Sequence, residues 1–153
     1  IDDIRVNEGL LQGDPAAPAF AQLVYGACCD KVREAIPDLD VLMSYFDDIT
    51  VADDPDTAIT AAKKLIKQLA KVGLQVNLAK SVAYITHVEG LSDKHRDWFH
   101  QHGIRVETGG ATYVGYPFGS EDFIRAFVKK GANRVCDTLT QLAEYDILTR
   151  PDT

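Results

Sequence analysis

The stretch Val41-Leu42-Met43-Ser44-Tyr45-Phe46-Asp47-Asp48-Ile49-Thr50-Val51-Ala52 constrains this chain more than any other. Strand-forming residues lead into two adjacent carboxylates, and a second short apolar run leads away from them. That pattern predicts a β-hairpin with Asp47 and Asp48 at or near its tip. Two acids on a stiff hairpin are hard oxygen ligands suited to Mg²⁺, and Mg²⁺ implies phosphates. The same dipeptide also serves turns, because Asp favours them. Asp53-Asp54 illustrates that use, since it precedes Pro55 and is placed to cap a helix. Asp47 and Asp48 thus have two readings, metal ligands or turn formers, and the surrounding chain has to separate them.

Around the hairpin the pattern is mixed helix and strand. Gly9 to Pro15 reads as a loop, and Pro15 and Pro18 fit the first turn of a helix running to about Ile36. Phe20, Leu23, Val24, Ala27, Lys31, Val32 and Ile36 follow its spacing, with Lys31 the polar interruption. After the hairpin, Asp54-Pro55 opens a helix with the stripe Ile59, Ala62, Leu65, Ile66 and Leu69, and Gly73 stops it. Leu74 to Leu78 alternates and reads as a strand; Val82 to Ile85 continues extended. Ser92 caps a short helix carrying His95, Trp98, Phe99, His100 and His102, whose histidine spacing matches no strong zinc signature, so a surface helix is expected. Ile104–Glu107 and Ala111–Val114 flank Gly109-Gly110 and predict a second hairpin. From Ser120 a long helical run carries Phe123, Ile124, Phe127, Val128, Val135, Leu139 and Leu142, interrupted by Gly131. The expected class is α+β, an antiparallel sheet with helices on one face.

Composition narrows the function classes. Nearly half the 153 residues are hydrophobic, enough for a packed core, and no apolar run approaches the ~20 residues of a membrane span. Cys28, Cys29 and Cys136 are odd in number and the first two are neighbours, which predicts a reduced, intracellular protein. The net charge of −7 is unevenly spread. Residues 1–62 hold 13 acids and 3 bases, whereas 63–153 hold 10 acids and 13 bases. Lys63, Lys64, Lys67, Lys71 and Lys80 fall in one stretch free of acids, suited to phosphates or simply to a solvated helix face.

Four features stand in order: Gly9-Leu-Leu-Gln-Gly-Asp-Pro-Ala-Ala-Pro18-Ala-Phe20 before a helix, Tyr45-Phe-Asp-Asp48 on a hairpin, Gly73-Leu-Gln-Val-Asn77-Leu-Ala-Lys80-Ser after a helix, and Tyr113-Val-Gly-Tyr-Pro-Phe-Gly119. Together they resemble the palm of reverse transcriptases, RNA-directed DNA polymerases, most closely those of non-LTR retrotransposons. The resemblance implies a partial palm over 1–119 and the start of a helical thumb over 120–153. It makes Asp47 and Asp48 the catalytic, metal-binding acids of a Tyr-x-Asp-Asp box, with Tyr45 and Phe46 beside nucleotide and template. Gln12 and Gly13 would lie against the templating base and incoming nucleotide, Lys80 near the nucleotide's phosphates, and Gly115 and Pro117 in the primer grip. The implied reaction is template-directed nucleotidyl transfer to a primer 3′-hydroxyl, with Mg²⁺ or Mn²⁺ as cofactor and an RNA template and DNA primer as partners.

The chain departs from that pattern in three places. The family's further catalytic Asp, on a strand well upstream of the Gln-Gly box, has no counterpart here; Asp2 and Asp3 are too close to Gln12 to serve, and the fingers are absent. Phe46 fills a slot usually held by a smaller residue, and Ala17 one that is often Ser. These departures predict a chain inactive on its own, needing another chain to complete the palm. They also keep open a second reading, a domesticated domain without metal that binds protein and RNA in a ribonucleoprotein assembly.

Overall fold

The computed structural model describes residues 14–149, with side chains to Tyr145, so Gln12 and Gly13 lie outside the described residues. The class is α+β. The chain divides into two compact units, Ile1–Ser81 with Glu89–Arg105 and Val82–Val88 with Val106–Thr153.

In the first unit, helix α1 spans Ala17–Ala35, with Pro18 in its first turn and the Asp14 carboxylate accepting from the Ala16 amide at 2.8 Å. Strands β1 (Val41–Tyr45) and β2 (Asp48–Ala52) form the expected antiparallel hairpin, in register Leu42↔Val51, Ser44↔Ile49 and Tyr45↔Asp48. Helix α2 spans Pro55–Lys71. Asp54 caps it by accepting from the Asp56 and Thr57 amides at 3.0 and 3.2 Å. It ends as Gly73 predicts: Gly73 has φ +82°, its amide donates to Ala70, and the Leu74 amide donates to Leu69. Those paired bonds satisfy carbonyls that the last turn leaves free.

Cys28, Cys29 and Val32 of α1, Leu42 of β1, and Ala61, Leu65 and Leu69 of α2 make one buried cluster, with Tyr25, Ile36, Leu39, Ile49, Val51 and Leu74 packed around it. Alternation along the strands puts Leu42, Ser44, Ile49 and Val51 on the helix side and leaves Met43 and Tyr45 exposed on the other. The helices therefore cover one face of the hairpin. The expected stripe of α1 holds at its C-terminal end, where Val32 is buried and Ile36 packs on the core, but not at its N-terminal end, where Phe20, Leu23 and Val24 are exposed; Cys28 and Cys29 are buried with Val32 instead. In α2 Ile59, Leu65 and Leu69 are buried as expected, with Ala61 in place of Ala62, and Lys63, Lys67 and Lys71 point outward.

The strand expected at 74–78 does not form. Residues 74–77 are irregular and Leu78–Lys80 is a 3₁₀ turn. The Asn77 side chain and carbonyl both accept from the Lys80 amide, and its carbonyl also accepts from the Ser81 hydroxyl, a local network that competes with strand pairing. Helix α3, Asp93–Gln101, packs on α2 and ends at Gly103 (φ +66°), with the Ile104 amide donating to Phe99.

Strand β3 (Val82–Tyr84) pairs with β4 (Arg105–Glu107), and within the second unit the Ile85 amide donates to Glu107 at 2.9 Å. The hairpin expected across Gly109-Gly110 is replaced by one between β5 (Gly110–Tyr113) and β6 (Tyr116–Gly119). Its turn is Val114-Gly115, with φ +49° and +81°, the two positive values a type I′ turn requires. Glycine at 110 and 119 serves the open end of this ladder instead of a turn. A Cβ on Gly119 would stand 2.3 Å from the Gly110 Cα, and one on Gly110 would stand 2.4 Å from the Phe123 ring. Ser120 then caps helix α4, Glu121–Thr149, by accepting from the Phe123 amide. Helix α4 runs on through Gly131, and its Val128, Val135, Leu139, Leu142 and Tyr145 are about 60% exposed or more. Among the described residues no helix is long and apolar enough to cross a membrane.

The hairpin tip as a candidate metal site

The turn joining β1 and β2 is two residues long, Phe46 and Asp47, with Asp48 the first residue of β2. Phe46 has φ +52° whereas Asp47 does not share that sign, the pattern of a type II′ turn, where glycine is the usual first residue. Asp48 pairs with Tyr45, so both lie on the hairpin face away from the helices. The Tyr45 and Phe46 rings meet edge to face, centroids 4.8 Å apart, and both are about half exposed.

The two acid pairs differ in what their carboxylates do. Asp53 accepts from the Asp40 amide at 3.0 Å and from the Asp54 amide at 2.7 Å, and Asp54 caps α2. Hydrogen bonds from the Thr57 side chain and then its amide hold the Asp54 carboxyl below the usual range. Both are committed to turning the chain. The Asp47 and Asp48 carboxylates take part in no hydrogen bond or ion pair among the described residues. Adjacent, exposed, uncommitted oxygens fit one edge of the shell of a hard divalent cation. No cluster of three His, Cys, Asp or Glu side chains placed to hold a metal occurs among the described residues.

Two residues given no role in the sequence expectation, Gln22 and Ser44, hold this tip in place. Gln22 of α1 donates through Nε2 to the Phe46 carbonyl at 2.9 Å, and its Oε1 accepts from the Ser44 hydroxyl at 3.2 Å. Arg33, also on α1, donates to the Leu42 carbonyl and to the Asp30 carboxylate, tying the helix to β1. The available signal for Gln22 was its helical register with Tyr25 and Cys29, a polar residue on the core-facing side.

The remaining expected site residues lie on other elements. Lys80 ends the 3₁₀ turn, is exposed, and makes no ion pair with Asp47 or Asp48. Gly115 is a turn residue of the second unit, and Pro117 lies in β6 opposite Thr112. The pair that closes a two-residue hairpin is the hydrogen-bonded one, so the next pair leaves the Pro117 nitrogen facing away from the ladder, where a missing N–H costs nothing.

Elsewhere, His95 departs from the expected surface helix because it is buried. Its Nδ1 accepts from the Ser92 amide at 3.2 Å, which leaves Nε2 as the donor to Asp56 at 3.0 Å. It lines a cavity of about 430 Å³ between α2 and α3 with Lys63, Lys94 and Trp98, and the Lys63 ammonium sits 5.4 Å from the Trp98 ring. His100 is exposed as expected, and so is His102, whose Nδ1 lies 2.8 Å from the Trp98 carbonyl oxygen. Burial pushes the Cys29 thiol up, so it remains a protonated core residue at neutral pH.

Comparison with known proteins returns one family, described as reverse transcriptase (RNA-dependent DNA polymerase), whose sequence model matches residues 3–118. No curated protein and no solved structure matches the chain. The matched span takes in Gln12 and Gly13, the Asp47-Asp48 hairpin, Lys80, Gly115 and Pro117, well over half of the sequence, and on it the chain belongs to the reverse transcriptase family.

Proposed function

We propose that this chain is the palm portion of a template-directed nucleotidyltransferase of the non-LTR retrotransposon type, with residues 1–119 the palm and 120–153 the start of the thumb. The observation that carries the reading is the uncommitted state of the Asp47 and Asp48 carboxylates beside the fully committed pair Asp53 and Asp54. In this reading Asp47 and Asp48 hold the cation from one side. A bound Mg²⁺ or Mn²⁺ supplies charge neutralisation at the attacked phosphate and polarises its oxygens. Lys80 meets the nucleotide's phosphates, and Gln12 and Gly13 lie against the templating base. Tyr45 and Phe46 form the wall beside the nucleotide, and Gly115 and Pro117 belong to the primer grip. RNA template and DNA primer are the partners.

Two adjacent carboxylates do not complete a two-metal site. Primer extension on an RNA template, in Mg²⁺ and in Mn²⁺, is therefore expected to give no product from this chain alone. Template-dependent product from the chain alone would overturn that. The exposed apolar side chains of α4 support the further expectation that the chain works against another chain or as an oligomer. A well-folded, dilute monomer in sedimentation velocity would count against it.

One observation favours a second reading, a domesticated domain that binds protein and RNA without catalysis. A bulky Phe46 held at positive φ beside the acids puts an aromatic ring where primer has to approach. In that case Asp47 and Asp48 bind no cation.

A further inference from the structure

Gln22 joins α1 to the hairpin at the turn itself. Its amide spans from α1 to the hairpin and makes two bonds there, one to Ser44 in β1 and one to the Phe46 carbonyl in the turn. The second bond is the informative one. The Phe46 carbonyl belongs to the peptide unit linking Phe46 and Asp47, which is the central peptide of the two-residue turn. Rotation of a central peptide is what converts one turn type of a family into the other, with little movement of the flanking strands. It also redirects the chain at the following residue, which here is Asp47.

The side chain has one orientation compatible with both bonds. A carbonyl only accepts, so Nε2 has to face Phe46. The Ser44 hydroxyl then donates to Oε1 and holds the amide against a flip. The turn needs such a restraint. Phe46 sits at φ +52°, a region unfavourable for a residue with a Cβ and one that persists only where surrounding contacts impose it.

We infer that Gln22, oriented by Ser44, is a positioning residue that latches the central peptide of the Phe46-Asp47 turn and so fixes the direction in which the Asp47 and Asp48 carboxylates are presented to a divalent cation. The cation half of this statement rests on the proposed function; the latch half rests on the hydrogen bonds alone. A latch explains how a hairpin of two short strands, with a strained residue at its tip, presents two acids in one arrangement instead of several.

The test uses the 153-residue chain, labelled with ¹⁵N, with and without Mn²⁺. Gln22→Met removes both bonds at nearly constant volume, Ser44→Ala removes the restraint on the amide, and Ser44→Thr keeps the hydroxyl. Without metal, the inference predicts exchange broadening or altered shifts at the Asp47 and Asp48 amides in Gln22→Met, smaller changes in Ser44→Ala, and near wild-type behaviour in Ser44→Thr. Resonances of the buried cluster around Val32 and Leu65 should stay in place. With Mn²⁺, paramagnetic broadening at Asp47 and Asp48 should need roughly two- to tenfold more metal in Gln22→Met, the range of one net hydrogen bond. Wild-type Asp47 and Asp48 amides in both Gln22→Met and Ser44→Ala would overturn the latch. A wild-type chain that gives no Mn²⁺ effect at the tip would overturn the proposed function and the cation half, while the metal-free spectra still decide the latch. If Gln22→Met does not fold, the contrast between Ser44→Ala and Ser44→Thr decides it.

Discussion

At the scale of single residues, backbone conformation is where sequence and structure part company most. Phe46 and Val114 are the non-glycine residues at positive φ among those described, and nothing in either side chain announces it. The sign comes from the ladder register, which places each residue first in a two-residue turn between paired strands. Val114 is β-branched, the worst type for that region, so Val114→Gly is expected to raise stability by up to about 1 kcal/mol in chemical denaturation. Gly119→Ala should do the opposite and disrupt the β5–β6 hairpin, since its Cβ would fall on the Gly110 backbone. That loss would be read from the β5 and β6 amide protection. Asp54 gives a pH signature. Its folded carboxyl lies below the ordinary value, so its contribution is present above the unfolded value and is lost as pH falls through the folded one. An acid titration of melting temperature should be flatter below pH ~4 in Asp54→Ala than in wild type.

At the scale of elements, the signals that came through were those carried by a few adjacent residues. The 41–52 hairpin, the Asp54-Pro55 start of α2 and the stops at Gly73 and Gly103 could all be read locally, because capping and turn chemistry are local. What could not be read was which of several regular patterns wins. Helix α1 is apolar along most of its length, and only packing against its neighbours buries Cys28 and Cys29 with the expected Val32 while leaving Phe20, Leu23 and Val24 exposed. Gly109-Gly110 resembles a turn, yet Val114-Gly115 makes it. His95 is buried because α3 lies on α2, a contact that histidine spacing does not encode. The core of the first unit depends on α2, so Leu65→Ala should cost about 2–5 kcal/mol in denaturant unfolding. Cys29 adds an alkaline limit. Its folded value is raised by burial, so its contribution is intact below the unfolded thiol value and falls as pH rises through it. Stability should therefore decline above pH ~8.5 in wild type and less so in Cys29→Ala, once that variant's lower baseline is subtracted.

At the scale of the whole molecule, the family was legible because four short motifs occur in the right order over most of the chain, although each is weak alone. The candidate site was legible only in part. Asp47 and Asp48 were marked by their hairpin and Asp53-Asp54 by Pro55 as a helix cap, but that the first pair stays uncommitted shows only in the hydrogen bonds. Gln22, which positions the tip, lies far from it in sequence and belongs to another element. On the proposed reading the hairpin tip binds a divalent cation. The direct measurement is a Mn²⁺ titration of the ¹⁵N-labelled chain, comparing wild type with Asp47→Ala and Asp48→Ala. Saturable broadening centred on Asp47 and Asp48 in wild type, displaced by Mg²⁺ and abolished in both variants, is the predicted result. Broadening that is absent, or the same in wild type and both variants, would contradict the claim.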